Sequence, residues 1–571
     1  MIKRTVKNNT GQKVNINMRM SIVITFLMLC FTVIVVRAFA IQVKGKEFYI
    51  KQGDIRQIRE IDLQVPRGTI FDRNGEPLAI STPMVSIGIQ PAVLFEQMSR
   101  IEQLAEALDL DAEKLKNLVI DRKNKKFIYI KRREPPYVAD TVRALNIKGV
   151  EFRNEFKRYY PAGEIIPQLI GFTDANDIGK EGIESTYDKW LAGTAGRKKV
   201  MQDRFGHIIK DINEVTAAEP GKDINLSIDR RLQYITYKAL KTAVYQHNAT
   251  KGAAIVLDVT TGEVLAMASL PSYNPNNKTS ASISGMRNRA IQDIYEPGSV
   301  IKPFTVIAGM LSGQYDENSI IDTSPGVFKG KGFKFEDARD YGEINLETLL
   351  SKSSNVAAAK IALSLSKNHL WDTFNSFGLG SSTNSGIMGE SSGLLQDHNR
   401  WSLSRQGNIA FGYGLQVTTL QLAAAYAAIA NNGRWRAPTY IKGNINDDKA
   451  LIDPKIANKV NDMLINVVRA DNTGNKAIID GYEIAGKTGT ARIAANGGYS
   501  DSYIASFVGY APAHNPRLVV AISITDAKGE DYGGGAVAAP VFKNIMQNSL
   551  RILNISPSKA EPSLVEVANG L

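Results

Sequence analysis

A chain of 571 residues, 43% of them hydrophobic and 22% charged, is too long for one ordinary domain and has apolar material for several cores. Its net charge of +12 is spread along the chain, apart from one short uncompensated cluster at the N-terminus, which argues against a nucleic-acid-binding face. The single cysteine, Cys30, excludes a disulfide framework and a thiolate metal site, and a chain otherwise free of cysteine fits an oxidising compartment.

Residues 1–20 carry Lys3, Arg4, Lys7, Lys13 and Arg19 and no acidic residue. Met20 to Val36 is then uncharged and almost wholly apolar; Arg37 interrupts, and Ala38 to Val43 continues the apolar character. A helix needs about 20 residues to cross the hydrocarbon core, and this segment reaches that length if Arg37 snorkels to the interface. The pattern predicts a cytoplasmic tail over 1–20, a transmembrane anchor over 21–43, and an outside location for the rest by the positive-inside rule. Ala38-Phe39-Ala40 is similar to a signal-peptide cleavage site. The apolar run is longer than a signal core, however, and Arg37 sits just before the cut, which favours an uncleaved anchor.

Residues 44–65 mix charges with spaced apolar residues (Phe48, Ile50, Ile55, Ile58), the pattern of a helix leaving the membrane. Val65 to Gly75 reads as a strand and a turn, with Asn74-Gly75 suited to positive φ. Helix-like segments (Ile101 to Val119, Val138 to Leu145) then alternate with short β-like ones (Phe127 to Lys131, Val150 to Arg158). A Gly-rich passage follows, from Arg158-Tyr159-Tyr160-Pro161-Ala162-Gly163 through Gly171 to Gly179-Lys180-Glu181-Gly182-Ile183-Glu184. These clustered Arg, Asp, Glu and Gly residues are read as arginine–carboxylate pairs that fix an irregular, strand-poor module, rather than as a second active site.

A new regular pattern begins near Asp223, just after Pro220-Gly221, which places a domain boundary near 222. Gly252 to Leu257 and Glu263 to Ser269 form a predicted hairpin about Thr260-Thr261-Gly262. Helical patterns dominate from Ser299 to about Ala430, and strands return at Tyr482 to Ile493, Tyr503 to Ala511 and Arg517 to Thr525. Strands at both ends enclosing helices imply one α/β sheet built from both termini of a domain over 223–555. A polar, Pro-containing tail over 556–571 is expected to be mobile.

Three short signatures lie in this last domain: Ser299-Val300-Ile301-Lys302, Ser353-Ser354-Asn355 and Lys487-Thr488-Gly489-Thr490. Ser-x-x-Lys recurs at Ser364 with Lys367 and at Ser556 with Lys559, and Ser-x-Asn recurs at Ser272 and Ser382, whereas Lys-Thr-Gly occurs once. Ser556 falls in the tail and Ser364 inside a helical run. Ser299 instead follows Glu296-Pro297-Gly298 and opens the apolar segment Val300 to Leu311, which puts its hydroxyl and N–H at a helix N-terminus. Lys302 at i+3 faces the same side and can take the serine proton if burial or a neighbouring cation, for which Lys487 is the candidate, depresses its pKa. Pro303 is tolerable in the first turn. Ser353 can relay a proton to a leaving amine, and Asn355 can hold Lys302 or a substrate amide. In the β-like third signature, Gly489 leaves the backbone approachable while Thr488 and Thr490 offer hydroxyls; an edge strand there would bind an extended peptide by β-addition. The five histidines are scattered with no H-x-x-x-H pair, and no P-loop or G-x-G-x-x-G precedes a helix, so triad, zinc and nucleotide chemistry lack support.

These three signatures in this order, with Arg67 to Arg73, Gly179 to Glu184 and Asp258 to Asn276, resemble the class B penicillin-binding proteins, from the anchor to about residue 550. Phe411-Gly412-Tyr413-Gly414-Leu415 with Gln421-Leu422, Tyr532-Gly533-Gly534 and Ala539-Pro540-Val541-Phe542 are similar to the cell-division (septal) branch of Gram-negative bacteria. Thr418-Thr419-Leu420 stands where many relatives have Thr-Pro-Leu. The resemblance implies a multi-domain α+β chain. Its parts would be an N-terminal transmembrane helix, an elongated pedestal domain over 44–222, and a penicillin-binding α/β domain with a central antiparallel sheet flanked by helices.

It implies a D,D-transpeptidase of stem pentapeptides, without metal or cofactor, and a target of β-lactam antibiotics. Ser299 would be the nucleophile; Lys302, Ser353, Asn355 and Lys487 would assist it. The backbone N–H groups of Ser299 and Thr490 would form the oxyanion hole, and Thr488 and Thr490, with Gly489 between them, would bind the substrate carboxylate. Expected partners are the septal lipid II polymerase and other division proteins, at the inner membrane with the catalytic domain periplasmic. The rival readings are an elongation-type transpeptidase, a β-lactamase and a non-catalytic β-lactam sensor or division scaffold. A tethered pedestal is superfluous for a β-lactamase, and about 20 inside residues leave a sensor little output.

Overall fold

The computed structural model describes residues 5–7, 13–44, 46–48, 51, 58–202, 208–278, 282–495 and 498–557. Two compact units share the chain, interleaved in sequence. One comprises Met1–Val65, Val85–Glu155 and Thr194–Glu219; the other comprises Pro66–Met84, Phe156–Gly193 and Pro220–Leu571.

In the first unit, helix Ile16–Phe39 continues into a π-turn, Ala40–Lys44, and the 28-residue span Ile16–Val43 is long and apolar enough to cross a membrane. Of the predicted tail, residues 1–4 and 8–12 lie outside the described residues. The helix expected over 44–65 is not continuous. Residues 46–48 are helical, but Ile58–Leu63 is a strand, antiparallel to Gly196–Gln202, which pairs in turn with Ile208–Thr216. Partners some 140 residues away supply a ladder that no local periodicity announces. The helix expected over 101–119 divides into Ile101–Ala107 and Ala112–Asp121. Asp109 takes a φ of 52°, and the Asp111 carboxylate accepts from the Lys114 N–H at 2.9 Å, so capping chemistry outweighs an apolar pattern that runs through the break. Leu104, Leu108, Leu115 and Val119 pack with Val85, Ile87 and Ile89 in this unit's core. The β-like segments expected at Phe127 to Lys131 and Val150 to Arg158 are strands, Ile128–Glu134 and Val150–Tyr159, and the sequence reading missed a third, Pro77–Ile89.

The second unit is built on a five-stranded antiparallel sheet. Its strands are β1 (Lys251–Asp258), β2 (Val264–Leu270), β3 (Ala485–Ala495), β4 (Gly498–Ala511) and β5 (Leu518–Thr525), in the order β2-β1-β5-β4-β3. Alternate side chains serve different cores. Ala253, Ile255 and Leu257 of β1 face one cluster, Ala254 and Val256 the other, which is why the strand reads as an unbroken apolar run. One face is covered by α1 (Arg230–Gln246) and α6 (Gly534–Ile552). The other holds α2 (Lys302–Leu311), α3 (Leu346–Lys352), α4 (Asn355–Ser364) and the wholly buried α5 (Thr419–Ala430). The predicted helical stretch also contains two short antiparallel pairs, Ile321–Asp322 with Glu343–Ile344 and Val327–Gly330 with Phe333–Glu336.

Within this unit the clustered Arg and Glu residues of the Gly-rich passage form a buried ion network. Glu184, fully buried, accepts from Arg67 Nε and Arg158 Nε at 2.6 Å each, and Asp188 takes Arg67 Nη1 at 2.7 Å. Asp72 closes the Asn74-Gly75 turn by accepting from the N–H groups of Asn74 and Glu76 at 2.7 and 2.9 Å. Its second oxygen receives the Arg230 N–H at the start of α1 at 3.1 Å. Of the predicted tail, residues 558–571 lie outside the described residues.

Candidate active site

Gly298 has a φ of 61°, the left-handed region that glycine reaches without strain, and opens a single 3₁₀ turn, Gly298–Ile301, that runs directly into α2. Ser299 therefore stands at the N-terminal end of a buried helix, as its sequence context predicted, with Pro303 in the first turn. Val300, Ile301, Phe304 and Ile307 are fully buried, so the turn is held by the core. Its close neighbour is another glycine: a Cβ on Gly412 would sit 2.1 Å from the Gly298 carbonyl oxygen, and the Gly298 N–H donates to the Gly412 carbonyl at 3.2 Å.

The second signature is a sharp turn between α3 and α4. Ser353 ends α3 in the left-handed conformation, with φ 63° and ψ 43°; Ser354 caps α4 by accepting from the Ala357 N–H at 3.0 Å; Asn355 is the first helical residue. This turn points the side chains of Ser353 and Asn355 at Lys302, and that of Ser354 away from it. Lys302 Nζ donates to Ser353 Oγ at 3.0 Å, to the Ser353 carbonyl at 2.5 Å and to Asn355 Oδ1 at 2.8 Å. Lys487 Nζ donates to the same Ser353 Oγ at 3.1 Å. One hydroxyl is thus shared by two lysines, both fully buried. Burial first, and the charge of Lys487 second, hold the Lys302 amine well below the usual lysine range; burial alone brings Lys487 down to about 7. The cation expected to depress Lys302 is therefore present, but desolvation is the larger cause.

The third signature lies on β3, an edge of the sheet, where Lys487, Thr488, Gly489 and Thr490 pair with Val508, Phe507, Ser506 and Ala505 of β4. Its other side lies against the Gly298–Ile301 turn. A Cβ built on Gly489 would come within 2.4 Å of Ser506 Oγ, 2.8 Å of the Pro297 carbonyl and 2.9 Å of Val300 Cγ1. The Thr490 hydroxyl oxygen accepts from the Gly534 N–H at 3.0 Å, so the first turn of α6 orients this side chain. Because Pro297 O belongs to the backbone that leads into the Gly298–Ile301 turn, Gly489→Ala is expected to push β3 off Ser299. If Ser299 is acylated by benzylpenicillin, as the sequence resemblance implies, a displacement near 1 Å predicts a loss of about 10²-fold in that rate, read by stopped-flow or intact-mass kinetics.

The chemistry available here is specific. A lysine amine biased toward its neutral form, one helical turn from a serine hydroxyl, can accept that proton. A hydroxyl shared by two amines can pass a proton on, and N–H groups at the turn and on an edge strand can hold an oxyanion. The competing matches sit elsewhere. The Ser364 hydroxyl donates to the Ile361 carbonyl at 2.8 Å, Lys367 donates to the Trp401 carbonyl, Ser272 donates to the Glu164 carbonyl at 2.7 Å, and Ser382 accepts from the Asn384 N–H; Lys559 lies outside the described residues. Among the described residues no group of three or more His, Cys, Asp or Glu is placed to hold a metal.

Two residues that sequence reasoning did not select join the site. Asp337 accepts from Ser354 Oγ at 2.6 Å and from the Val356 N–H at 3.0 Å. Glu296, just before the Gly298–Ile301 turn, accepts from the Gly414 N–H at 2.7 Å and from the Tyr499 hydroxyl at 3.3 Å. The adjacency of Glu296 to Ser299 was a usable signal; for Asp337 there was none.

Residues 252–547 match the family profile described as penicillin binding protein transpeptidase domain, and residues 62–226 that described as penicillin-binding protein dimerisation domain. The chain is 40% identical over 545 residues to the peptidoglycan D,D-transpeptidase FtsI of Escherichia coli (strain K12), covering 93% of this chain and 92% of the relative. Among solved structures, penicillin binding protein 3 from Mycobacterium tuberculosis complexed with aztreonam superposes with a TM-score of 0.69 at 27% identity, covering 87% of this chain and 98% of that one. The transpeptidase domain of Burkholderia pseudomallei penicillin-binding protein 3 gives a TM-score of 0.54 at 37% identity, covering 59% and 98%.

Proposed function

The chain belongs to the class B penicillin-binding proteins, the peptidoglycan D,D-transpeptidases, and from that premise we propose an acyl-serine mechanism at Ser299 for its cross-linking reaction. Neutral Lys302 removes the Ser299 proton as Oγ attacks the penultimate D-Ala carbonyl of a stem pentapeptide. The oxyanion forms against the backbone N–H groups of Ser299 and Thr490. As the C–N bond breaks, Ser353 protonates the departing D-Ala amine and is resupplied from the lysines. The side-chain amine of a neighbouring stem then attacks the ester, losing a proton to the same relay, and the cross-link leaves with Ser299 restored. Thr488 and Thr490 bind the substrate carboxylate on the edge strand, with Gly489 keeping the backbone close, and a β-lactam enters as the mimic of the same amide.

The observation that carries this reading is the bond network in which Lys302 and Lys487 both donate to Ser353 Oγ, and Lys302 also to Asn355 Oδ1, beside the turn bearing Ser299. The proposal includes the sequence divisions 44–222 and 223–555, with Pro66–Met84 and Phe156–Gly193 of the first contributed to the compact unit of the sheet, anchorage in the inner membrane by the apolar helix with the catalytic domain periplasmic, and work at the septum beside the lipid II polymerase and other division proteins. The apolar span and the similarity to FtsI support it. Mass spectrometry of the full chain after benzylpenicillin treatment is expected to find a persistent adduct on the peptide containing Ser299. An adduct at Ser364 or Ser556, or rapid turnover to penicilloate, would overturn the mechanism. A fluorescent fusion is expected at midcell; lateral-wall location would overturn the septal role.

A further inference from the structure

We propose that Asp337 is a positioning residue for this reaction, the carboxylate that orients the Ser353–Asn355 turn toward Lys302. The inference rests on the acyl-serine reading above and concerns how the second signature is held. Ser353 occupies the left-handed region, where a residue with a side chain is strained, so something outside the turn must impose it. Asp337 meets that need at several points. Its Oδ1 accepts from the backbone N–H groups of both Asn355 and Val356, and its Oδ2 accepts the Ser354 hydroxyl proton at 2.6 Å. With that proton committed, the Ser354 oxygen is oriented to accept the Ala357 N–H. The first three N–H groups of α4 are thereby satisfied by one carboxylate, two directly and one through a serine.

The preceding carbonyl completes the clamp. Glu336 O accepts from Asn355 Nδ2 at 2.9 Å, which leaves Oδ1 as the atom presented to Lys302. Asp337 is itself fixed, since its N–H donates to the Gly326 carbonyl at 2.9 Å and the neighbouring Phe335 is buried against Phe411, ring centroids 5.8 Å apart. The charged groups acting on the Lys302 amine are Lys487 from β3, which disfavours its ammonium form, and Asp337 from the segment after the Phe333–Glu336 strand, which favours it; the α3–α4 turn contributes only the uncharged Ser353 and Asn355. A residue that merely capped α4 would affect stability alone. A positioning residue also alters the height of the acylation rate and its pH dependence.

The test is the second-order rate of acylation of the full chain by benzylpenicillin, followed from pH 5 to 10 beside a melting curve, for the wild type, Asp337→Asn and Asp337→Glu. Asp337→Asn is expected to lower the plateau about tenfold or more. It is also expected to move the rising limb to lower pH, because removing an anion that favours the Lys302 ammonium lets the neutral amine appear earlier. Asp337→Glu keeps the charge and is expected to lower the plateau while leaving the limb where the wild type has it, which preserves the test if the asparagine variant fails to fold. Unchanged plateau and limb in Asp337→Asn, or a lower melting temperature with the rate profile intact, would overturn the role. A wild type that carries no adduct on Ser299 would instead overturn the underlying mechanism, whatever the variants do.

Discussion

Replacing Lys302 by methionine is expected to slow benzylpenicillin acylation of Ser299 by about 10³–10⁴-fold, the upper range for loss of a general base. Lys302 is fully buried, one turn along from Ser299, and burial together with Lys487 favours the neutral amine that can accept a proton. Methionine has nearly the same length and no branch at Cβ, so it fills the channel between α2 and the α3–α4 turn without displacing the helix. It leaves Ser353 with Lys487, and Asn355 with its bond to the Glu336 carbonyl, while the proposed proton acceptor is gone. Taking an amine out of this site also removes the cost of holding it in a dry interior, which offsets the lost hydrogen bonds. The melting temperature is therefore expected to change little while the rate collapses. Stopped-flow acylation with a melting curve checks both, and a rate within tenfold of wild type would remove Lys302 from the base's role.

Glu184→Ala is expected to cost about 3–5 kcal/mol of stability, the usual consequence of deleting one member of a buried ion network. Glu184 is the shared acceptor of two guanidiniums whose side chains are 1% and 2% exposed. Arg67 keeps Asp188 and the carbonyls of Asp177 and residue 184. Arg158 keeps only long contacts, 3.4 Å to the Arg67 carbonyl and 3.3 Å to Ser81 Oγ, and its Nη2 is buried without a partner already. The uncompensated charge therefore falls mainly on Arg158. Calorimetry of the full chain in detergent is expected to show a drop in melting temperature of about 10 °C. A drop under about 2 °C would mean that the network contributes only packing. A milder Glu184→Gln, which keeps the shape and one acceptor, is expected to fall between the two.

These two sites were not equally legible from residue order. Around Ser299 the apolar run after Gly298, the nearby lysine and the single Lys-Thr-Gly each report a local preference: a helix start, an i+3 pair, a strand with an approachable backbone. Such preferences act over fewer than about ten residues, so they survive in a linear reading. Strands β1, β2 and β5 of the central sheet were legible for the same reason, because burial on both faces writes a nearly unbroken apolar run. The break at 108–111 and the strand at Ile58–Leu63 were misread where one local signal was outweighed by a cap or by a distant partner.

The sequence by itself determined the membrane-length apolar helix, the sheet-and-helix architecture of the second unit, and the identity of the serine, lysines, asparagine and threonines in its three signatures. Only the tertiary structure decided that Lys302 bonds the second motif, that one Ser353 hydroxyl is shared by two buried lysines, and that Asp337 clamps the turn between them. It also decided that Pro66–Met84 and Phe156–Gly193 fold with the sheet unit, and that one glutamate holds two arginines 91 residues apart. The division has one physical cause: periodicity and capping are set by neighbours along the chain, whereas desolvation and charge pairing depend on groups that meet only once the chain has closed around them.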